Sequence, residues 1–385
     1  MSIVPDAPAH PVKPSATSDG QTGPAARPGR GDALIGTLVV VVGAVLVGVV
    51  VVALLSGEPR RAVWTFLTGS LDGRFQLGTT LARATPYLFT GTALALAFRV
   101  GVFNLGAEGQ LYLGAAAGTW LAVGLDTPGP VTVVAACGAA AVAGGLWGAI
   151  PGWLRARHGA NEIVLTLMLN FVAILFVSWL VSNPLSDPGR PGFPQSERVP
   201  ESAQLPRLLT PSTLHLGIVV GVVLCVAGHL FLTRTARGFE LCTAGQNPEF
   251  ARYVGLRPER SILTGMVLSG AVAGLGGAVH ILGDQLRLLD GFSPGYGFIG
   301  ILVALLARNH LLAVPLAAVF YAWLVSGAQV MEETTDVPRE AISVVQGVLF
   351  LLVTASALTS WLRRRRPVGD GDGPVPAGTG RGVAQ

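Results

Sequence analysis

The stretch ALIGTLVVVVGAVLVGVVVVALLSG, Ala33 to Gly57, carries no charged residue over its whole length. A helix that crosses a bilayer needs roughly 20 consecutive apolar residues, and charge within it is costly. This segment meets both conditions, and comparable segments recur downstream. Ten can be parsed, near 33–56, 77–98, 103–124, 129–154, 161–182, 213–233, 261–283, 295–307, 311–330 and 340–362. The eighth is short enough for a re-entrant or broken helix. The expectation is an all-α polytopic membrane protein with about ten transmembrane helices, in a range of nine to eleven.

Composition agrees. The chain is 51% hydrophobic and 12% charged, and its mean hydropathy of +0.58 lies outside the soluble range. The formal charge of +4 is carried by arginines spread along loops, so no nucleic-acid partner is expected. Lys13 is the only lysine and Pro14 follows it, which excludes the Gly-Lys-Ser/Thr of a P-loop. ATP would therefore be bound by another polypeptide, and this chain is expected to hold no cofactor. Cys137, Cys225 and Cys242 form no CxxC pair and read as small packing residues. The six histidines show no HExxH, and no G-x-S-x-G elbow occurs. A metal site has no support, and a membrane-embedded enzyme lacks its constellation.

Charge sets the expected topology. With the N-terminus inside, cytoplasmic segments collect Lys13, Arg99, Arg155, Arg157, Arg234, Arg237, Arg252, Arg257, Arg308 and the cluster Arg363 to Arg366. Outer segments hold about half as many basic residues, so both termini are expected in the cytoplasm. Residues 1–32 and 367–385 are rich in Pro and Gly and read as disordered tails flanking a transmembrane domain over 33–362, with 363–385 beginning as a basic stop. The outer loop 183–212 is dense in proline, hence extended. The stretch EPRRAVWTFLTGSL (58–71) has an apolar stripe with basic residues opposite, and is expected to lie flat at the outer interface.

The inner loop 234–260 reads differently. Within it, Asn247 is placed to cap a short helix, Pro248 suits its first turn and Gly255 can end it. Elsewhere Gly144, Gly148 and Gly152, and again Gly270 and Gly274, recur every four residues, the spacing of close helix packing in lipid. The similarity of ALALAFRVG (93–101) to ILVALLARN (301–309) hints at an internal duplication.

A sparse set of polar groups interrupts the apolar segments: Arg83, Asn104, Glu108, Gln110, Asn161, Glu162, Asn170 and Asp284. An ionised Glu108 facing lipid at mid-membrane would cost roughly 2.5 kcal/mol or more. It must point into the bundle, find a partner, sit near water or be neutral. Asn104 and Glu108 are four apart and would share a helix face, with Gln110 off it. Two roles stay open for these groups, holding the fold and lining a translocation path.

The run FNLGAEGQLYLGA (103–115) resembles the signature of bacterial permeases of ATP-binding-cassette (ABC) importers of the branched-chain amino acid/ribose group. The likeness is to the nucleoside or simple-sugar subgroup that works with a basic-membrane-protein-type receptor. NEIVLTLMLNFVA (161–173), RGFELCTAGQNPEFARYVGL (237–256) and GFSPGYGFIGILVALLARNH (291–310) resemble further motifs of that subgroup, in order, and the likeness covers about residues 35–365. It implies a bacterial cell-membrane permease paired with an ABC ATPase subunit, a second, shorter permease and an extracytoplasmic substrate-binding lipoprotein. It also implies that 237–256 couples to the ATPase. Phe250, Tyr253 and Val254 would form an apolar knob, Gly238, Gly245 and Gly255 would allow tight turns, and Arg252 would pair with acidic groups on the partner. Relatives commonly carry an acid where this chain has Ile299. An ion-coupled secondary transporter or channel, using Glu108 or Asp284, is the competing expectation.

Overall fold

The computed structural model describes residues 30–190, 192–337 and part of 343–351. The tails expected over 1–32 and 363–385 lie outside the described residues, apart from 30–32, as does most of the segment near 340–362. The chain forms helices α1 (Arg30–Leu55), α2 (Pro59–Thr68), α3 (Gly73–Arg99), α4 (Ala107–Gly124), α5 (Gly129–His158) and α6 (Glu162–Ser182). They are followed by α7 (Gly217–Arg234), α8 (Ala236–Gln246), α9 (Pro248–Tyr253), α10 (Pro258–His280), α11 (Tyr296–Leu306) and α12 (Val314–Thr334). Among the described residues there is no strand, only isolated bridges such as Ser186 with Ser196. Among the described residues, five stretches are long and apolar enough to cross a membrane: Gly129–His158, Glu162–Ser182, Gly217–Arg234, Pro258–Gln285 and Leu311–Thr334.

The centre is a seam of small residues. A Cβ on Gly144 of α5 would fall on the carbonyl oxygen of Gly270, and one on Gly274 would fall on that of Ala140. Gly148 and Gly152 carry the contact along to Met266, so α5 and α10 run antiparallel. On another face of α10, Gly114 and Gly118 of α4 meet Gly274 and Ala278, a parallel pairing. Lipid offers no hydrophobic drive between helices, so backbone approach and dispersion hold such a seam.

The periphery follows the same logic. The helix α2 buries Ala62 and Phe66 against the bundle and turns Trp64 outward. The proline-rich loop 183–212 is stitched down by backbone bonds to the segment after α10: Ser196 N–H to Leu288 O at 2.8 Å, Val199 N–H to Leu286 O at 2.9 Å and Leu205 N–H to Leu282 O at 3.0 Å. Arg287 adds a 2.8 Å ion pair to Asp187. Proline removes donors from such a loop, and three of the remaining N–H groups make this tie while others, such as Asp187 N–H to Gln195 O at 2.9 Å, close turns within the loop.

Candidate functional site

Between α3 and α4 the chain leaves helix after Arg99 and resumes it at Ala107. An interrupted helix strands N–H and C=O groups that lipid cannot satisfy. Side chains satisfy them here. Asn104 Oδ1 accepts the Gly106 N–H at 3.0 Å and a Gln110 amide proton at 3.1 Å. Its own amide donates to Gln110 Oε1 at 2.8 Å and to Ser269 Oγ at 2.9 Å. Ser269 in turn donates to the Ala93 carbonyl at 2.8 Å, which ties α10 to α3. From α6, Asn170 accepts the Gly109 N–H at 2.9 Å and donates to the Leu105 carbonyl at 2.8 Å. One helix thus caps the start of another.

This arrangement corrects the expected pairing along the motif. Because helix begins only at Ala107, Asn104 does not share a helical face with Glu108. Asn104 pairs with Gln110 instead, and Glu108 serves a different neighbour. Glu108 Oε2 accepts the Gly297 N–H at 2.5 Å, and the Ser293 side chain also hydrogen-bonds the carboxyl group. Gly297 lies in the first turn of α11, where backbone donors have no intrahelical acceptor and the helix dipole favours negative charge. A Cβ on Gly297 would strike the Glu108 backbone nitrogen, so α4 and α11 start against each other with that carboxylate between them. The Ser269 level lies eleven residues beyond Pro258, about 17 Å along α10.

The remaining polar positions separate. Asn161 is exposed at the start of α6, where it caps the Ile163 N–H at 3.0 Å. Glu162 pairs with Arg155 across the α5–α6 turn. With Arg252 and Glu259 these residues line an open cleft of about 640 Å³. Asp284 sits at the far end of α10, 3.9 Å from His280. Ile299 packs against the apolar core.

The segment 234–260 forms two helices where one was expected. Thr235 Oγ1 accepts the Gly238 N–H at 3.0 Å and caps α8. Asn247 Oδ1 accepts the Phe250 N–H at 3.0 Å and caps α9, with Pro248 in the first turn. Gly255, at φ 83°, reverses the chain so that the Leu256 N–H reaches the Ala251 carbonyl at 2.8 Å. Phe250, Tyr253 and Val254 are 51%, 91% and 50% exposed, an apolar knob directed away from the bundle.

Within the chain, Arg252 pairs with Glu259 at 3.0 Å, and both side chains stay largely exposed. One expectation about this segment needs correction. Gly238 and Gly245 make no turns: both lie inside α8, at points where backbones nearly touch. A Cβ on Gly238 would fall on the Phe231 carbonyl oxygen, and one on Gly245 on that of Val100. Facing Gly245 is Gly101, at φ 75°. So α8 is seated on the very break that opens α4.

Residues that sequence reasoning passed over also matter here. Ser269 and Ser293 bond the cluster from segments distant in the chain. Tyr87, His280 and Tyr296 form a contiguous run of rings. Ser293 and Tyr296 lie in the run 291–310, but no spacing rule links them to Glu108.

Comparison with known proteins gives the family. A family model described as branched-chain amino acid transport system / permease component matches residues 76–354. The glucose ABC transporter permease protein TsgB13 of Haloferax volcanii is 39% identical over 330 residues, covering 82% of this chain and 86% of that protein. The guanosine ABC transporter permease protein NupP of Bacillus subtilis is 36% identical over 301 residues, covering 77% and 84%. The nucleoside ABC transporter permease protein NupB of Lactococcus lactis is 29% identical over 329 residues, covering 82% and 89%. No solved structure matches the chain. On this evidence the chain belongs to the family of branched-chain amino acid transport system permease components, as a multi-pass protein of the cell membrane.

Proposed function

We propose that this chain is the membrane-spanning permease subunit of an ABC importer for nucleosides or related simple sugars, and forms their translocation path. The observation that carries the reading is the α8–α9 surface. An exposed apolar helix, rigidly seated by Gly245 on the break before α4, is suited to receive motion from a separate motor. Gly238, Asn247 and Gly255 shape that surface, and Phe250, Tyr253 and Val254 are its contact residues. Arg252 holds it to the start of α10 through Glu259.

The partners in this reading are an ABC ATPase subunit, an extracytoplasmic substrate-binding lipoprotein and a second, shorter permease. In this reading the chain has about ten transmembrane helices, in a range of nine to eleven, both termini in the cytoplasm, and an internal duplication that relates the α3 and α11 ends. Asn104, Gln110 and Asn170 hold the polar core, while Glu108 and Asp284 border the path. Asn161, Glu162 and the Arg252–Glu259 pair that joins α9 to α10 lie on the cytoplasmic face. Tyr253→Asp, or deletion of 247–255, is expected to abolish uptake in cells while membrane insertion stays normal. Normal uptake with either variant removes the coupling role.

A further inference from the structure

Beyond His280 the helix α10 widens into a π-turn, Ile281–Gln285, a distortion frequent at functional sites. The turn brings Asp284 Oδ2 to 3.9 Å from His280 Nδ1. His280 is 2% exposed, yet neither ring nitrogen has a hydrogen-bond partner among the described residues. Buried polar side chains are paired in the large majority of cases, so an orphaned imidazole at this depth points to a partner from outside the chain.

Its surroundings say what kind. Tyr296 stands edge-on to His280 with centroids 5.1 Å apart, and Tyr87 stands edge-on to Tyr296 at 5.5 Å. Tyr296 is only partly buried, and Arg83, Asp284 and Glu108 lie within electrostatic reach of it. Arg83 hydrogen-bonds Ser326 Oγ at 3.2 Å and has no carboxylate at ion-pair distance among the described residues. Charges of both signs therefore act on one ring, with no ion pair between Arg83 and either carboxylate.

We propose that Arg83, Tyr87, His280, Asp284 and Tyr296 form a station for the base of a nucleoside within the transmembrane path; this rests on the permease reading above. A flat heterocycle matches every feature at once. Its face stacks on Tyr296, which the buried Tyr87 backs edge-on, its ring N–H groups donate to Asp284, and its carbonyls and ring nitrogens accept from Arg83 and the imidazole. An aldohexose supplies hydroxyls for the charges but no π face for the rings, so the station favours the nucleoside.

The test uses the complete importer, reconstituted with its ATPase, substrate-binding subunit and any second permease, and reads ATP-driven uptake of labelled guanosine and labelled glucose. Asp284→Asn and Tyr296→Leu raise the KM for guanosine roughly tenfold or more, whereas Tyr296→Phe, which keeps the ring, stays within about threefold. Leu175→Ala, on an exposed face of α6, leaves uptake unchanged. Should Asp284→Asn fail to assemble by size exclusion, the contrast between Tyr296→Leu and Tyr296→Phe decides alone. An unchanged guanosine KM in the variants that assemble, with uptake still ATP-driven, overturns the station and leaves the permease reading standing. Uptake of glucose but not guanosine by the unmodified complex overturns the choice of base. Failure of that complex to import either solute with ATP overturns the permease reading itself.

Discussion

The helices α6 and α10 are both long and apolar, yet they are built in opposite senses. α6 is the more apolar, and only 22% of its span is buried, against 56% for α10. Large side chains face outward along α6, with Phe171 61% and Leu175 70% exposed. Most buried positions of α10 are small, among them Ser269, Gly270, Ala273, Gly274 and Gly277. In water the buried helix would be the greasier of the two. In hydrocarbon, apolar burial gives no advantage, and the interior is decided by how closely backbones approach and which polar groups are satisfied. The polar exception on α6 obeys the rule: Asn170 lies on its buried face and caps α4.

Enlarging one small position on α10 breaks this contrast most severely. Gly274→Leu drives a side chain into the Ala140 carbonyl and the Gly144 backbone, which cannot rotate away. The expected outcome exceeds the ~1–3 kcal/mol of ordinary overpacking, seen as loss of the monodisperse detergent-solubilised peak. The same reading makes Leu175→Ala on α6 nearly silent in that assay. A folded, stable Gly274→Leu protein would remove the seam from the account.

Asn170→Ala sharpens the comparison at an intermediate level. It strips the cap from the Gly109 N–H and the donor from the Leu105 carbonyl, at an expected cost of about 0.5–2 kcal/mol, read as a lowered Tm in detergent. An unchanged Tm would mean that another group satisfies the break.

The smallest effect belongs to the tie between the loop 183–212 and the segment after α10. The Gly189 N–H, followed by Arg287, holds the Asp187 carboxyl below the usual carboxylate range. A depressed folded value means that the tie is fully present above the unfolded pKa of about 3.9 and is lost as pH falls through the lower folded value. Protease cleavage within 183–212 should therefore rise only in that acid window, and Arg287→Ala should shift the onset to higher pH.

Much of this was legible in the sequence where local rules apply. The four-residue glycine spacing marked the α5–α10 seam, and Asn247, Pro248 and Gly255 marked α9 by cap, first turn and reversal. Reading failed where a helix was taken through its own break. Asn104 and Glu108 were placed on one face, although helix starts only at Ala107. It failed again for Gly238 and Gly245, because a glycine that permits a turn and one that permits contact look alike in a linear chain. The ring run of Tyr87, His280 and Tyr296 joins segments about two hundred residues apart, and only the tertiary fold brings them together.

The central claim is that solute movement is powered through the α8–α9 knob by a separate ATPase. The direct measurement is uphill uptake of labelled guanosine into proteoliposomes, with the purified chain alone under a proton or sodium gradient, and with its ATPase, substrate-binding and any second permease subunits plus ATP. Accumulation only in the second preparation is the predicted result. Accumulation by the chain alone would contradict it and identify a gradient-driven carrier.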